Sequence, residues 1–301
     1  MIKRLPLSIV IPTKDRERLL FESLKFLNKN FFFFNEVIIV DSNIKKLNKK
    51  ILYKSYKKLN IQYYTSKPST SVQRNLGLRN VRKKNKFVMF LDDDIKFNND
   101  AFKKMYTFII KKGASVAGIG FNSITKSRYK KNLLERIKNS DFFTRLGIYD
   151  SRPGMVTSSG WQTKILNIKK NTLVEWLPTQ ACIYRRDKIK FLRFSSQLGA
   201  YAYLEDLLFS HEVSKRGDLI IHFEAKYKDI LTVQRNHFLF GIKEVRNRIV
   251  FVKKNKLSIG KFLLGYVFFL FKNFLEIFLN IKKIMRFFGN IIGIYYLIQI
   301  K

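Results

Sequence analysis

Residues 87–95 read Phe-Val-Met-Phe-Leu-Asp-Asp-Asp-Ile. The five apolar residues Phe87 to Leu91 describe a short strand covered on both faces, as strands of a parallel sheet are. The run stops at three consecutive carboxylates, Asp92, Asp93 and Asp94. Adjacent like charges repel. Such a strand end is either an acidic turn pointing into water or the holder of a cation, since hard oxygen ligands bind Mg²⁺ or Mn²⁺ beside phosphorylated ligands. In an open α/β sheet this carboxyl edge is where ligands bind.

The surrounding pattern decides what kind of sheet carries that strand. Leu7 to Ile11 is a β-branched run stopped by Pro12, whose missing N–H ends pairing. Leu19, Leu20, Leu24 and Leu27 recur at helical spacing within Arg16 to Asn28. Val37 to Val40 is a second buried strand ending in Asp41, and Ile61 to Tyr64 a third, followed by a helix from Val72 to about Arg82. After the Phe87–Leu91 strand come a helix around Ala101 to Lys111 and a strand at Ala114 to Gly120. Strands spaced by helices imply a parallel, doubly wound sheet. Residues 122–170 are basic and rich in loop signals, and read as an insertion or mobile loop over the active face. The pattern tightens again with a strand through Ala181 to Tyr184, a helix from Leu204 to Lys215 closed by Gly217, and a strand Leu219 to Phe223.

Composition narrows the partners. The 301 residues are 46% hydrophobic and 15% aromatic, so global disorder is excluded, and the net charge is +37. The basic residues are spread along the chain, without zinc-finger spacing, an aromatic-basic RNA-binding signature or a basic coiled coil. Diffuse charge points to compositional bias and an anionic membrane surface, with nucleic acid unlikely. The single cysteine, Cys182, lies in an apolar stretch and reads as a core residue. The N-terminus runs straight into the first strand without a signal peptide, so the catalytic part is expected to face the cytoplasm.

After about Ile259 the chain becomes rich in Phe, Leu and Ile, in runs shorter than the ~20 residues of a spanning helix. Lys272, Glu276, Asn280 and Lys283 form one narrow polar stripe on an otherwise apolar helix. With Lys282, Arg286 and Lys301 nearby, this suits a helix in the membrane interface drawn to anionic headgroups. The alternatives are helices packed on the catalytic domain and a tilted spanning helix, costly with Lys272 and Glu276 inside it.

These features converge on a family. The chain resembles the family 2 glycosyltransferases of GT-A fold, which transfer sugars from nucleotide-sugar donors with inversion at the anomeric carbon. The resemblance runs from about Leu7 to Asn255. Leu7-Ser-Ile-Val-Ile-Pro-Thr-Lys-Asp-Arg16 looks like the opening strand and nucleoside loop, and Glu36-Val-Ile-Ile-Val-Asp41 like the second strand. Ser71-Val-Gln-Arg-Asn-Leu-Gly77 is similar to the family's Arg-Asn-x-Gly helix start, and Asp92-Asp93-Asp94 takes the place of its Asp-x-Asp motif. The segment from Tyr203 to Gly217 is similar to its Glu-Asp helix, and Arg246-Asn247 to a pair frequent after the core.

The resemblance implies a Rossmann-like, mostly parallel α/β sheet flanked by helices, with C-terminal membrane-associated helices. It divides the chain into a nucleotide-sugar-binding half (1–120), an acceptor-binding and catalytic half (121–255) and amphipathic helices (256–301). It implies a Mg²⁺ or Mn²⁺ cofactor, a UDP- or dTDP-linked sugar donor and a glycan or lipid-linked acceptor in surface polysaccharide biosynthesis. Pro12, Thr13, Arg16, Asp41, Arg74, Asp92 and Asp93 would contact the donor, with Asp41 able to accept the imide N–H of a uracil or thymine. Asp94 would ligate the metal. Asp206 would be the general base, with Glu205 orienting acceptor or base.

Two departures stand out. Glu212 occupies a position where the family usually carries Arg. The histidine many members present after the following strand is missing, its slot falling near Lys228-Asp229, so Asp229 is the substitute metal ligand, with His222 and His237 as alternatives. Trp161 and Trp176 are candidates to stack on a sugar or simply core aromatics. Two further readings compete. A sugar-phosphate nucleotidyltransferase wants a Gly-rich loop after the first strand, and Ile11 to Arg16 has no glycine. A non-catalytic or nucleic-acid-binding basic protein on the same fold would explain the charge but not the ordered carboxylates.

Overall fold

The computed structural model describes residues 4–43, 47–112, 115–124, 141–199, 202–230 and 236–299. Residues 125–140 of the basic loop segment, Ala114 of the expected strand, and Lys301 lie outside them. The chain divides into two compact units. The first takes residues 1–125 and 165–232, the second 126–164 and 233–301. These units do not follow the three segments expected from the sequence: 165–232 folds with the N-terminal half because its strands complete that half's sheet.

The strands of the first unit are β1 (Leu7–Thr13), β2 (Glu36–Asp41), β3 (Ile61–Thr65), β4 (Phe87–Leu91), β5 (Ile95–Phe97), β6 (Gly118–Ser123), β7 (Thr172–Val174), β8 (Ala181–Arg185) and β9 (Leu219–Asp229). They form one sheet in the order β3-β2-β1-β4-β8-β6-β9-β5, with β7 also on β9. The block β3-β2-β1-β4 is parallel, which explains why its inner strands β1, β2 and β4 are buried on both faces. β8 then enters antiparallel to both β4 and β6, and β6 runs parallel to β9. The helices between the parallel strands are α1 (Glu17–Lys29), α2 (Lys49–Ser55) and α3 (Thr70–Arg79), and α4 (Ala101–Lys112) links β5 to β6. Helix α5 (Glu205–Ser214) precedes β9. A continuous core of Ile9, Ile11, Leu20, Leu24, Ile39, Met89 and Phe121 lies between sheet and helices.

Pro12 does not end β1. Pairing with β4 stops at Val10, whereas pairing with β2 continues through Pro12 opposite Val40 to Thr13 opposite Asp41. A residue without an N–H is tolerated where the strand has a partner on one side only. The last strand is also longer than its sequence suggested. β9 continues past Phe223 to Asp229, across a register shift in its pairing with β6 between Phe121 and Asn122. That extension places Asp229 opposite Ile95, directly after the acidic triplet.

The Arg-Asn-x-Gly segment has a packing reason. A Cβ at Gly77 would overlap the side chain of Val10, so glycine is what lets α3 rest on β1. Asn75 exchanges two hydrogen bonds of 2.8 Å with the backbone of Phe194, whose ring stacks on Phe209 of α5 at 4.0 Å.

In the second unit, helices α6 (His237–Lys254), α7 (Ile259–Leu279) and α8 (Ile284–Gly293) pack together. Gly241 and Gly289 lie at the crossing of α6 and α8, where a Cβ on either would collide with the facing backbone. The single polar stripe expected along Lys272, Glu276, Asn280 and Lys283 is interrupted. α7 ends at Leu279, and Asn280 is extended with φ −157°. Lys283 nevertheless turns back to pair with Glu276 at 2.7 Å. Among the described residues no helix is long and apolar enough to cross a membrane.

Candidate active site

Pro12, Thr13, Arg16, Asp41, Asp92, Asp93 and Asp94 come to one edge of the sheet, where β1, β2 and β4 end. The side-chain amide of Gln73 ties two of these ends together, donating to the carbonyls of Thr13 and Val40 at 2.8 and 2.9 Å. Asp41, at the end of β2, is buried and fixed from two sides. The Tyr63 hydroxyl donates to Oδ2 at 2.5 Å, and the Asn43 N–H donates to Oδ1 at 2.8 Å. Burial, followed by the hydrogen bond to Asp41 and then its charge, raises the Tyr63 phenol well above its ordinary pKa, so it stays a donor. A carboxylate has about four lone-pair positions, which leaves Asp41 able to accept a further bond.

The acidic triplet is divided among two arginines. Asp93 is buried and accepts the Thr13 hydroxyl at 2.6 Å, and the Ser23 hydroxyl donates to its backbone carbonyl at 3.1 Å. Arg16 reaches Asp93 at 3.2 Å and Asp94 at 2.8 Å. Burial pushes the Asp93 carboxyl up to about 6 despite the Thr13 bond and the Arg16 charge. Asp94 is raised by burial and by Asp92, against the pull of Arg16. Asp92 pairs instead with Arg74 at 2.7 Å.

Arg74 is the link to the second motif. Its other terminal nitrogen pairs with Glu205, which also accepts the Ser71 hydroxyl at 2.5 Å. Burial works against the Arg74 charge, but Glu205 and Asp92 outweigh it and hold its pKa above the usual arginine value. Helix α5 starts from Leu204, a non-glycine residue held at φ 69°. That left-handed conformation is strained for a γ-branched residue, and such strain gathers at functional sites. It sets Glu205 and Asp206 as the first two residues of the helix. Asp206 is half-buried and its carboxylate accepts the Leu207 N–H at 2.8 Å. Burial first, then the Glu205 and Asp92 charges, raise it to about 6, against the Leu207 bond and the Arg74 charge.

Asp229 joins from the far side of the triplet. The Ile230 N–H donates to the Asp94 carbonyl at 2.9 Å. Asp229 accepts the Gln180 amide at 3.0 Å, and its carboxyl is raised by burial and then by the Asp94 and Asp92 charges. Among the described residues no three His, Cys, Asp or Glu side chains converge on one point as a metal cage would. The donor set nevertheless suits a hard divalent cation. Mg²⁺-type ions are commonly held by one or two carboxylates, with ligand phosphates and water completing the shell. Asp94 and Asp229 are two such carboxylates whose charges already repel each other.

The alternatives to Asp229 are otherwise engaged. His222 stacks on Phe108 at 4.4 Å and shares a 2.8 Å hydrogen bond with Asn171. His237 is exposed at the start of α6 in the second unit. Glu212 pairs with Lys215 at 2.8 Å on the surface of α5. Trp176 is buried, and Trp161 packs against Phe269 and the Arg248 guanidinium in the second unit. Cys182 is buried with its thiol pushed up to about 12, which makes it unreactive.

Five residues of the site escape the sequence reading as contributors: Ser23, Tyr63, Ser71, Gln73 and Gln180. Ser71 and Gln73 fall inside the quoted helix-start segment, and their polar side chains at its first turn were the available signal. Gln180 gave none, since it sits in a loop before β8. Its backbone carbonyl accepts the Asp92 N–H at 2.9 Å while its side chain bonds Asp229 and Tyr227.

Residues 8–191 match the family model described as glycosyl transferase family 2. The chain belongs to that family. It is a glycosyltransferase of GT-A fold. Among solved structures it resembles S. aureus TarS 1-349, with a TM-score of 0.59 at 19% identity over 97% of this chain and 80% of that one. The same TarS fragment in complex with UDP-GlcNAc aligns with a TM-score of 0.59 at 18% identity, again over 97% and 80%. The mannosyltransferase PcManGT from Pyrobaculum calidifontis, in complex with GDP-Man and Mn²⁺, aligns with a TM-score of 0.55 at 12% identity over 99% and 76%. At such identities the likeness establishes the fold. No curated protein sequence matches the chain.

Proposed function

We propose that this glycosyltransferase inverts configuration at the anomeric carbon while transferring a sugar from a UDP- or dTDP-linked donor, with help from a divalent metal. The observation that carries the reading is the Arg74 bridge between Asp92 and Glu205, which joins the acidic triplet to the start of α5. A donor-binding strand end and a candidate base thereby share one polar cluster.

In this reading Asp41 accepts the imide N–H of the base, which uracil and thymine both offer. Thr13, Pro12 and Arg16 line the nucleoside loop, and Asp92 and Asp93 border the ribose and phosphates. Arg74 adds positive charge beside the diphosphate. Asp94 and Asp229 would hold Mg²⁺ or Mn²⁺, which supplies Lewis-acid neutralisation of the diphosphate leaving group. Asp206 takes the proton from the acceptor hydroxyl as that oxygen attacks from the face opposite the leaving group. A carboxyl raised to about 6 is well matched to this role near neutral pH. Glu205, held by Arg74 and Ser71, orients the α5 start and the acceptor.

The acceptor is a glycan or lipid-linked glycan in surface polysaccharide biosynthesis, and the enzyme works at the cytoplasmic face of the cell membrane. The support for this part is the apolar surface of the second unit described below. Donor and acceptor screening with the anomeric product followed by proton NMR tests the reading. Inversion at the transferred carbon is expected, and a retained configuration would overturn it.

A further inference from the structure

In the second unit a polar network is buried beside an apolar core of Val245, Ile249, Val252, Phe262 and Tyr266: Glu244, Asn273 and Asn290 are all buried. Asn273 donates to the Asn290 side chain at 2.9 Å, and the Asn290 amide donates to Gly241 O and to Glu244 at 3.0 and 3.2 Å. Arg286 grips Glu244 through two bonds of 2.7 and 3.0 Å. One face of the unit's exterior is apolar. On α7 the residues Leu263, Val267, Phe271, Phe274 and Phe278 are exposed, Phe278 by 76%. At ~100° per residue these five fall within an arc of about 80°, turned about 120° from the buried face of Phe262, Tyr266 and Asn273. The apolar surface continues through Ile281, Phe288 and Ile292. Soluble proteins seldom leave so large a contiguous apolar patch in water.

Charge identifies what covers it. Between residues 236 and 299 eleven Lys and Arg stand against two acids, Glu244 and Glu276. Both acids are already paired, Glu244 with Arg286 and Glu276 with Lys272 and Lys283. Lys261 and Lys272 lie to one side of the exposed arc of α7, beyond the exposed Leu264 and Phe268, and Lys254 and Lys256 are exposed before it. A second copy of the chain would bring together two surfaces of the same strongly positive sign, which is unfavourable. Anionic lipid offers both an apolar layer and negative headgroups.

We propose that the α7–α8 surface is a membrane-docking face, with Phe271, Phe278 and their neighbours buried among the acyl chains and the lysines among anionic headgroups. In this proposal the helices lie in the interface plane, with the apolar arc of α7 toward the acyl chains. This inference does not depend on the donor reading. It extends the sequence-based expectation by replacing a continuous polar stripe with a rigid apolar face fixed by an internal polar network.

The test is sedimentation of the full chain with vesicles of equimolar phosphatidylglycerol and phosphatidylcholine, compared with the double variant Phe271→Glu/Phe278→Glu. The wild type is expected to bind, and the variant to partition at least about tenfold more weakly while keeping its thermal midpoint. At about 0.5 M salt the wild type is expected to retain part of its binding, because screening removes only the electrostatic share. Equal binding by the variant, or complete release by salt, would assign the association to net charge and overturn the proposal. A wild-type dimer that ignores vesicles and becomes monomeric in the variant would assign the face to a second copy. As an independent readout, Phe278→Cys can be labelled with an environment-sensitive fluorophore, the buried Cys182 staying unlabelled. A blue shift on adding anionic vesicles is expected, and an unchanged spectrum would contradict insertion.

Discussion

Arg16 sits 2.8 Å from Asp94 and shares the same guanidinium nitrogen with Asp93 at 3.2 Å, so one surface-reaching cation neutralises two adjacent strand-end carboxylates. The arrangement explains how three consecutive aspartates are tolerated at the end of a buried strand. Arg16 serves Asp93 and Asp94, Arg74 serves Asp92, and the charge left over is shared between Asp94 and Asp229.

Removing Arg16 exposes that balance. Arg16→Gln is expected to lower stability by about 1–3 kcal/mol at pH 8, less than for a fully buried pair because Arg16 is partly exposed. Asp93 has its pKa raised to about 6, above the unfolded value, so the folded protein binds the extra proton first. The destabilisation is therefore present above the folded pKa and relieved as pH falls through it. Thermal midpoints of variant and wild type should converge between pH 8 and pH 5, and a gap that stays constant would show that Asp93 carries no such load.

Asp206→Asn is expected to reduce transfer by at least about 10²-fold while leaving nucleotide binding nearly intact. In the wild type, the rate should fall below a pKa of about 6, as the base becomes protonated. Steady-state kinetics with a nucleotide sugar checks both. Donor affinity collapsing together with turnover would make Asp206 structural.

Arg74 is buried between two carboxylates. Arg74→Met should destabilise the protein by about 3–5 kcal/mol, because Glu205 is left buried without a cation. Adding Glu205→Gln is expected to recover part of that loss, giving a coupling of about 1–3 kcal/mol in a double-mutant cycle read by urea denaturation. Additive losses would mean the two side chains do not act as a pair.

Tyr63→Phe tests a contribution the sequence did not reveal. Losing the bond that orients Asp41 should weaken nucleotide diphosphate binding about fivefold, near 1 kcal/mol, with kcat little changed. Isothermal titration separates this from a loss of fold.

How much was legible follows from how local each signal is. The parallel strands announced themselves as apolar runs ending in Asp41 and Asp92, and the family motifs came in order. Tyr63 was invisible because its partner lies on the next strand, and only parallel pairing of β2 with β3 brings the two side chains together. Counting residues after Gly217 points to Asp229, yet where it stands beside the triplet depends on a register shift in the pairing of β9 that no run of residues encodes. Pro12 was misread as a strand end because a missing N–H matters only where a neighbour needs it. The C-terminal polar stripe failed for a similar reason. Periodicity assumes an unbroken helix, and Asn280 breaks this one by accepting an extended backbone after Leu279.

The most direct test of the donor site is thermal stability of the purified chain titrated with UDP and dTDP, with Mn²⁺ and with chelator, for wild type and Asp94→Asn. Stabilisation by one of these nucleotides that requires Mn²⁺ and disappears in Asp94→Asn is the expected result. Stabilisation that survives the chelator and the substitution would contradict a metal held at Asp94, and no response to any nucleotide from folded protein would contradict the donor site itself.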